Sequence, residues 1–537
     1  MSFLKNIFSK NNVDVKLAEA AELYKSKDYA KAIEVYNGLL SEDENELSAL
    51  YGRGLSFFYS LDHVSARTDF EKLLKFKADI PAYVYYFLSR ISFNSKDFEA
   101  AQKYAEDFIK NDGENPESYF LLAEIQSVLK KHKETIELCE KVVKLKADKA
   151  EAYILGAKSR IELEDYNKAL IDLNTAAEVS PNIAEVYSKR ALVQIKMGKF
   201  KAAQKDADKA LEIDTNSAEA YYFSGLIKWK ERDAELAIES FDKALRLNPK
   251  YFEVYLKRFE VKMKSDDPDG ALEDINEAIK IRPRSVSNYL KRGKLKSGLF
   301  DYDGALEDFK KVIKLDRKNV EAFFLSGDIL NKLNKFKFAE QCFSKVIDID
   351  PKNEKAFLQR GILKLKKKEV HSAIEDLCEV IKLNEENHDG YYYRAKAKEK
   401  LADTQAALAD YTKALTNAEY VNAYIGRGKL KFNSEDYHSA VNDFSKALKL
   451  KPLDPSVLYM RGLANLKETN DADAVDDFTL AIKNKANFAE AFFQRGNACF
   501  SLRQYQNAIN DWKEAEKQQP KFKAKTEKLI AKAEKHL

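Results

Sequence analysis

The sequence predicts an all-α solenoid made by stacking helix pairs along the chain. Three observations lead there. A unit of about 34 residues recurs fifteen times between Val13 and Phe522. Within it, apolar positions follow two helical stripes separated by a turn. Finally, 18 Gly and 10 Pro in 537 residues leave little material for a loop-rich or strand-rich fold. The repeats start at residues 13, 47, 82, 116, 150, 184, 218, 252, 286, 320, 354, 388, 421, 455 and 489, and are numbered 1–15 in that order. Twelve of the fourteen spacings are 34, one is 35 and one is 33, so the phase never drifts. A short segment, 1–12, precedes the array and 523–537 follows it, leaving no room for another domain.

Each slot of the repeat has a physical task. The fourth is aromatic in twelve repeats, as in Tyr153, Tyr187, Tyr255 and Phe323. The eighth is almost always tiny, as in Gly54, Ala123, Gly293 and Gly428; Phe259 departs from this and is expected to force a local adjustment. The twentieth is Ala in fourteen repeats, with Thr135 the exception. Small residues on facing helices permit close approach, and an aromatic fills the space beside them. Apolar slots 4, 8, 20, 24 and 27 then define two helices of about a dozen residues each. Proline agrees with those limits. Pro81, Pro116, Pro181, Pro249, Pro283, Pro351, Pro452, Pro455 and Pro520 fall at repeat boundaries, and Pro268 falls in a turn within a repeat. None interrupts a helix, where it would cost about 3 kcal/mol.

A helix–turn–helix unit of this length with these slots resembles the tetratricopeptide repeat, and the resemblance spans about 95% of the chain. The usual Trp of the first helix is Tyr or Phe here. The resemblance implies a right-handed superhelix in which first helices line a concave groove and second helices form the convex back. Lys523–Leu537, with Leu529 and Ile530 among lysines, is expected to be a final helix covering the last open edge.

Slots 7 and 23 carry a matched charge pair. Arg occupies slot 7 in nine repeats, and all nine have Asp at slot 23: Arg53/Asp69, Arg190/Asp206, Arg258/Asp274, Arg292/Asp308, Arg360/Asp376, Arg394/Asp410, Arg427/Asp443, Arg461/Asp477 and Arg495/Asp511. One further Asp, Asp172, stands opposite Gly156. Independent scattering would produce such a match roughly once in five hundred trials. An Arg–Asp bridge between helices, within a repeat or onto the next, explains the pattern. An Arg fork can meet a carboxylate with two hydrogen bonds and so fix helix orientation. A ligand-binding role for these arginines would leave the matched Asp unexplained, so they read as structural.

Composition and motifs exclude several function classes. Lys+Arg number 91 and Asp+Glu 87, and a net charge of +4 does not signal wholesale nucleic-acid binding. No stretch approaches the ~20 apolar residues of a membrane span. Residues 1–12 carry Phe3, Leu4, Ile7 and Phe8 among Lys5 and Lys10. They read as a short docking helix, with an amphipathic membrane toe-hold as the alternative. Cys139, Cys342, Cys378 and Cys499 lie too far apart for a CxxC motif, and the chain reads as cytoplasmic. The six histidines lack Cys or His partners at metal-ligand spacing, and there is no phosphate-binding glycine loop. No cofactor, metal or catalytic residue is expected.

Binding is the function that remains. By the family resemblance, slots 2, 5, 9, 12 and 13 of the first helices face the groove. Slot 5 is largely aromatic or apolar, including Tyr222, Tyr392 and Tyr459, and slot 12 adds Trp229 and Phe432. Part of this set is expected to pack neighbouring helices; together it offers a platform for a peptide. The first helices of the repeats starting at 286, 354, 388 and 421 are net positive, and Lys294, Lys366, Lys396, Lys400 and Lys429 fall at groove slots. An acidic extended segment of a partner protein, bound near residues 286–434, is therefore the expected ligand. RNA or another polyanion on the same basic helices is the alternative. The family's chaperone-carboxylate clamp needs Lys at slot 5 and Asn at slot 9 of its first unit. Slot 5 never holds Lys here, and Asn497 alone places Asn at slot 9, next to Phe493.

Overall fold

The protein is described from a computed structural model that places residues 2–76, 80–416 and 419–537, with side chains from residue 13 onward. Every described regular element is helical. Two compact units divide the chain, Met1–Arg282 and Pro283–Leu537. The first contains the helix pairs of repeats 1–8. The second contains those of repeats 9–15 and a terminal helix, Lys523–Glu534.

One repeat explains the others. In repeat 13 the first helix is Val421–Asn433 and the second Tyr437–Leu450. Between them slot 15, Glu435, adopts a left-handed backbone with φ of 63°. The next residue, Asp436, caps the second helix by accepting a hydrogen bond from the Ser439 N–H at 3.2 Å. The same left-handed residue recurs in every repeat, from Lys27 to Arg503, and in one repeat only is it glycine, Gly198 at φ 74°. The turn is thus set by helix packing on both sides, against the ordinary preference of L-residues.

Packing within a repeat joins slots 8 and 24. A Cβ added at Gly428 would lie 2.8 Å from the Phe444 ring, and one at Gly293 would lie 2.6 Å from the Phe309 ring. Those rings are fully buried, as are Phe70, Phe241, Phe343 and Phe478 at the same slot. Slot 20 alanines such as Ala305, Ala373 and Ala440 have no exposed surface. Phe259, at the slot usually tiny, is accommodated as a buried residue.

The ends of the array differ. The first helix runs without a break from Ser2 to Lys25, so no helix boundary separates 1–12 from repeat 1. The side chains of Phe3, Leu4, Ile7 and Phe8 lie outside the described residues. At the other end Phe522 stacks on Phe493 with centroids 4.9 Å apart, and Leu529, Ile530 and Ala533 pack on the cluster around Trp512. The Trp512 indole N–H donates to Asn497 Oδ1 at 3.1 Å, so Asn497 is engaged inside the last repeat.

Candidate functional site

The slot-7 arginines form locks rather than open contacts. In repeat 13, Arg427 Nε and Nη2 donate to the two oxygens of Asp443 at 2.9 and 2.7 Å. The same fork joins Arg292 to Asp308 (2.9 and 2.6 Å), Arg360 to Asp376 (2.9 and 2.7 Å) and Arg394 to Asp410 (2.9 and 2.7 Å). Arg461 reaches Asp477 with Nη2 at 2.6 Å, and Arg495 reaches Asp511 at 2.8 and 2.6 Å. Each Asp is buried. Each pair lies within one repeat, joining its first helix to its second.

The third nitrogen reaches outward. Nη1 of Arg360, Arg427, Arg461 and Arg495 donates to Ser344, Thr412, Ser445 and Thr479 of the preceding repeat at 2.9–3.1 Å. Arg394 meets Cys378 Sγ at 3.3 Å in the same way. The guanidinium also lies over the slot-4 ring one turn earlier, as for Arg360 on Phe357 at 5.6 Å and Arg495 on Phe492 at 5.4 Å. Each of these five arginines therefore ties its repeat to the preceding one.

Three parts of this lock were absent from the sequence reading. Lys at slot 11 supplies a second cation: Lys431 bridges Asp443 at 2.9 Å, Lys398 Asp410 at 2.7 Å, Lys364 Asp376 at 2.8 Å and Lys296 Asp308 at 3.4 Å. Asp172, opposite Gly156, takes Arg160 from slot 11 instead, and the same arginine reaches Glu140 of the preceding repeat at 2.7 Å. Tyr replaces the usual slot-24 residue in repeats 1 and 12, and each time slot 6 of the next repeat is glycine. A Cβ at Gly426 would lie 2.5 Å from the Tyr411 ring, and Gly52 stands against Tyr36 in the same way.

The balance of cations on each Asp shows in its proton affinity. Burial alone would raise the Asp443 carboxyl, but Arg427 and Lys431 outweigh it and hold it below its ordinary value. Asp477 has Arg461 and the neutral Asn465 amide, with Asp473 nearby; burial wins and its carboxyl is raised.

The proposed groove residues divide by environment. Tyr222 is half-buried, 5.3 Å from Tyr251 and 6.0 Å from Phe241 between ring centroids, and burial pushes its phenol up to about 12. Tyr392 sits likewise against Tyr420 (5.0 Å) and Tyr411 (6.0 Å), and Tyr459 against Phe488 (4.9 Å) and Phe478 (5.7 Å). Trp229 packs in the cluster around Phe241, and Phe432 packs on Tyr437 of its own turn at 5.3 Å. These aromatics are packing elements that keep one edge accessible.

The lysines are exposed but not equivalent. Lys294 is neutralised by Glu321 of the next repeat at 2.5 Å. Lys366 donates to Asn331 at 3.1 Å, Lys400 to the Leu365 carbonyl at 3.3 Å, and Lys396 lies over the Tyr392 ring at 5.6 Å. Among the described residues, Lys366, Lys396, Lys400 and Lys429 have no carboxylate at ion-pair distance. Glu399 lies in the field of Lys396 and Lys429 and accepts the Tyr411 hydroxyl at 3.0 Å; burial nevertheless raises its carboxyl. Three of the thiols are poor nucleophiles: burial pushes Cys139 up to about 12 and Cys342 and Cys499 up to about 11.

Comparison with known families agrees with this architecture. Tetratricopeptide-repeat models match residues 184–217, 218–251, 286–319 and 320–353, which are repeats 6, 7, 9 and 10, and also residues 425–487. The chain is a tetratricopeptide-repeat protein. A model for anaphase-promoting complex, cyclosome, subunit 3 matches residues 94–176. A DnaJ protein P58IPK homolog of Arabidopsis thaliana is 39% identical over 69 residues, which is 13% of this chain and 14% of that protein's length. Among solved structures, the APC/C hetero-tetramer Cut9-Hcn1 aligns over 86% of this chain and 98% of its own, at 17% identity and a TM-score of 0.34. Yeast Tom70 aligns over 79% and 96%, at 20% identity and a TM-score of 0.33. The tetratricopeptide array is an interaction scaffold, and no helix among the described residues is long and apolar enough to cross a membrane.

Proposed function

We propose that this chain is a non-catalytic scaffold whose first-helix face in repeats 9–13, residues 286–434, binds an extended acidic or acidic-aromatic segment of a partner protein. The observation that carries the reading is the set of exposed lysines that have no carboxylate at ion-pair distance among the described residues, Lys366, Lys396, Lys400 and Lys429, with Lys396 lying over the half-buried Tyr392 ring. The basic residues buried in the locks are unavailable to a ligand, whereas these four retain their charge at the surface. An acidic segment gains steering and register from them, and the aromatic edges supply apolar contact.

The test uses a labelled twelve-residue Glu/Tyr peptide and fluorescence anisotropy at two salt concentrations. Charge reversal in Lys396→Glu/Lys429→Glu is expected to weaken binding at least about tenfold. Unchanged affinity in a variant of unchanged helical content would remove the basic face from consideration. A single-stranded RNA of equal length, bound more tightly and with a steeper salt dependence, would assign the face to nucleic acid.

A further inference from the structure

The terminal helix, Lys523–Glu534, distributes its charge differently from the second helices of the repeats. One side packs on the last repeat: Thr526 and Ala533 are buried, and Leu529 and Ile530 lie against the cluster around Trp512. Lys525, Lys528, Lys532 and Lys535 are all exposed, and they recur at spacings of three, four and three. Helical geometry puts them in one ridge about 15 Å long. Glu527 and Glu534, seven residues apart, fall on the other exposed edge with Lys523, and Ala524 and Ala531 lie between.

Such a ridge works against the helix that carries it. Like charges three and four residues apart repel, and Lys525 stands in the first turn, where the helix dipole disfavours a cation. Second helices of the repeats give their lysines acidic neighbours instead. Lys209 meets Glu212 at 2.9 Å, Lys243 meets Glu239 at 2.8 Å and Lys345 meets Asp348 at 3.0 Å. In the ridge, Lys532 lies over the Phe500 ring at 5.2 Å and still keeps its exposure. A local rule broken on the solvent side, without a return in packing, points to a partner.

The chemistry of the ridge selects that partner. Four clustered cations call for an anion. Lysine is a compact, hydrated point charge without the fork that grips a single carboxylate or phosphate, and 523–537 contains no Arg. The rings beside the ridge are engaged with one another, Phe500 with Tyr505 at 5.4 Å and Tyr505 with His536 at 5.0 Å, which does not make an open platform for bases. A bilayer with anionic headgroups needs neither fork nor platform. It attracts clustered lysines diffusely, and a straight ridge meets a plane along its whole length.

We infer that the ridge of Lys525, Lys528, Lys532 and Lys535 docks the chain on an anionic lipid surface. The contact is peripheral, lies outside the repeats, and does not depend on the basic face of repeats 9–13.

The full-length protein would be floated with phosphatidylcholine vesicles, with and without phosphatidylserine, at two salt concentrations. Binding is expected to be at least about tenfold tighter with phosphatidylserine and to weaken as salt rises. Lys528→Glu/Lys532→Glu should lower the affinity for those vesicles at least about tenfold. Lys525→Gln/Lys528→Gln separates docking from folding. It relieves repulsion within the helix, so amide exchange in Lys523–Glu534 should slow while lipid binding falls. Lys396→Glu/Lys429→Glu should bind the vesicles as the wild type does. Equal affinity for the two kinds of vesicle overturns the inference, as does unchanged binding in both ridge variants. Loss of lipid binding in Lys396→Glu/Lys429→Glu alone overturns it too, by moving the contact to the basic face. So does a single-stranded RNA that the wild type binds more tightly than the vesicles and the ridge variants release, which would assign the ridge to nucleic acid.

Discussion

Replacing Asp443 by Ala should loosen repeat 13 far more than an ordinary surface change. Asp443 is 2% exposed and accepts from Arg427 at 2.9 and 2.7 Å and from Lys431 at 2.9 Å. Its removal leaves two cations in a half-buried site whose solvent has already been excluded. Breaking a buried pair in this manner costs about 3–5 kcal/mol, mostly as the uncompensated charge. The triple variant Arg427→Met/Lys431→Met/Asp443→Leu removes charge on both sides and should be nearly neutral. A repeat array does not unfold as one unit, so a single melting temperature would blur the effect. Hydrogen exchange resolves it: the opening free energy of amides in Tyr437–Leu450 should fall by about that amount, and that of repeat 2 should not change. The pH dependence follows with its sign. The folded carboxyl lies below its ordinary value. The contribution is thus fully present above the unfolded pKa of about 3.9 and is lost as pH falls through the lower folded value. A loss below about 1 kcal/mol in the single variant, typical of an exposed pair, would refute the lock.

Asn465→Lys should supply repeat 14 with the second cation that repeat 13 already has. The Asp477 carboxyl, now raised, would then titrate lower, as carbon-13 detected NMR of the side chain can follow. In the present protein its ionisation works against folding as pH rises from the unfolded value through the raised folded one, and the substitution should remove that penalty. Gly426→Ala should destabilise repeats 12 and 13 by about 1–3 kcal/mol, because the new methyl meets the Tyr411 ring, and Tyr411→Leu in the same chain should recover most of the loss in a urea titration.

What could be read from the sequence follows the geometry of each contact. The Arg–Asp fork joins two slots of one repeat at a constant separation of sixteen residues, so it leaves a matched pair of residue types in nine of the fifteen repeats. The outward contact of the same arginine crosses a repeat boundary and accepts any small donor-acceptor: Ser344, Thr412, Ser445 or Cys378. Ser, Thr, Asn and Cys all serve there, so no single residue type marks the contact. Arg160 escaped for another reason. Its guanidinium arrives at Asp172 from one turn further along, through space left by Gly156, and a search at fixed slots sees only an unmatched Asp. The Tyr–Gly coupling between slot 24 and the following slot 6 was present in the sequence, at Tyr36/Gly52 and Tyr411/Gly426, but two instances in fifteen repeats do not declare themselves without the rings in place.

The first-helix charge of the second unit illustrates why a residue total is a poor guide to a binding face. Arg292, Arg360, Arg394 and Arg427, with Lys296, Lys364, Lys398 and Lys431, are committed to four buried aspartates. They make the helices look strongly basic while hiding their charge in the interior. Lys294 is spent on Glu321. At the groove slots, Lys366, Lys396, Lys400 and Lys429 have no carboxylate at ion-pair distance among the described residues, and even there Glu399 lies in the field of Lys396 and Lys429. The locks hold successive repeats in register, so substitutions at the outward slots can retune each face without disturbing the stack.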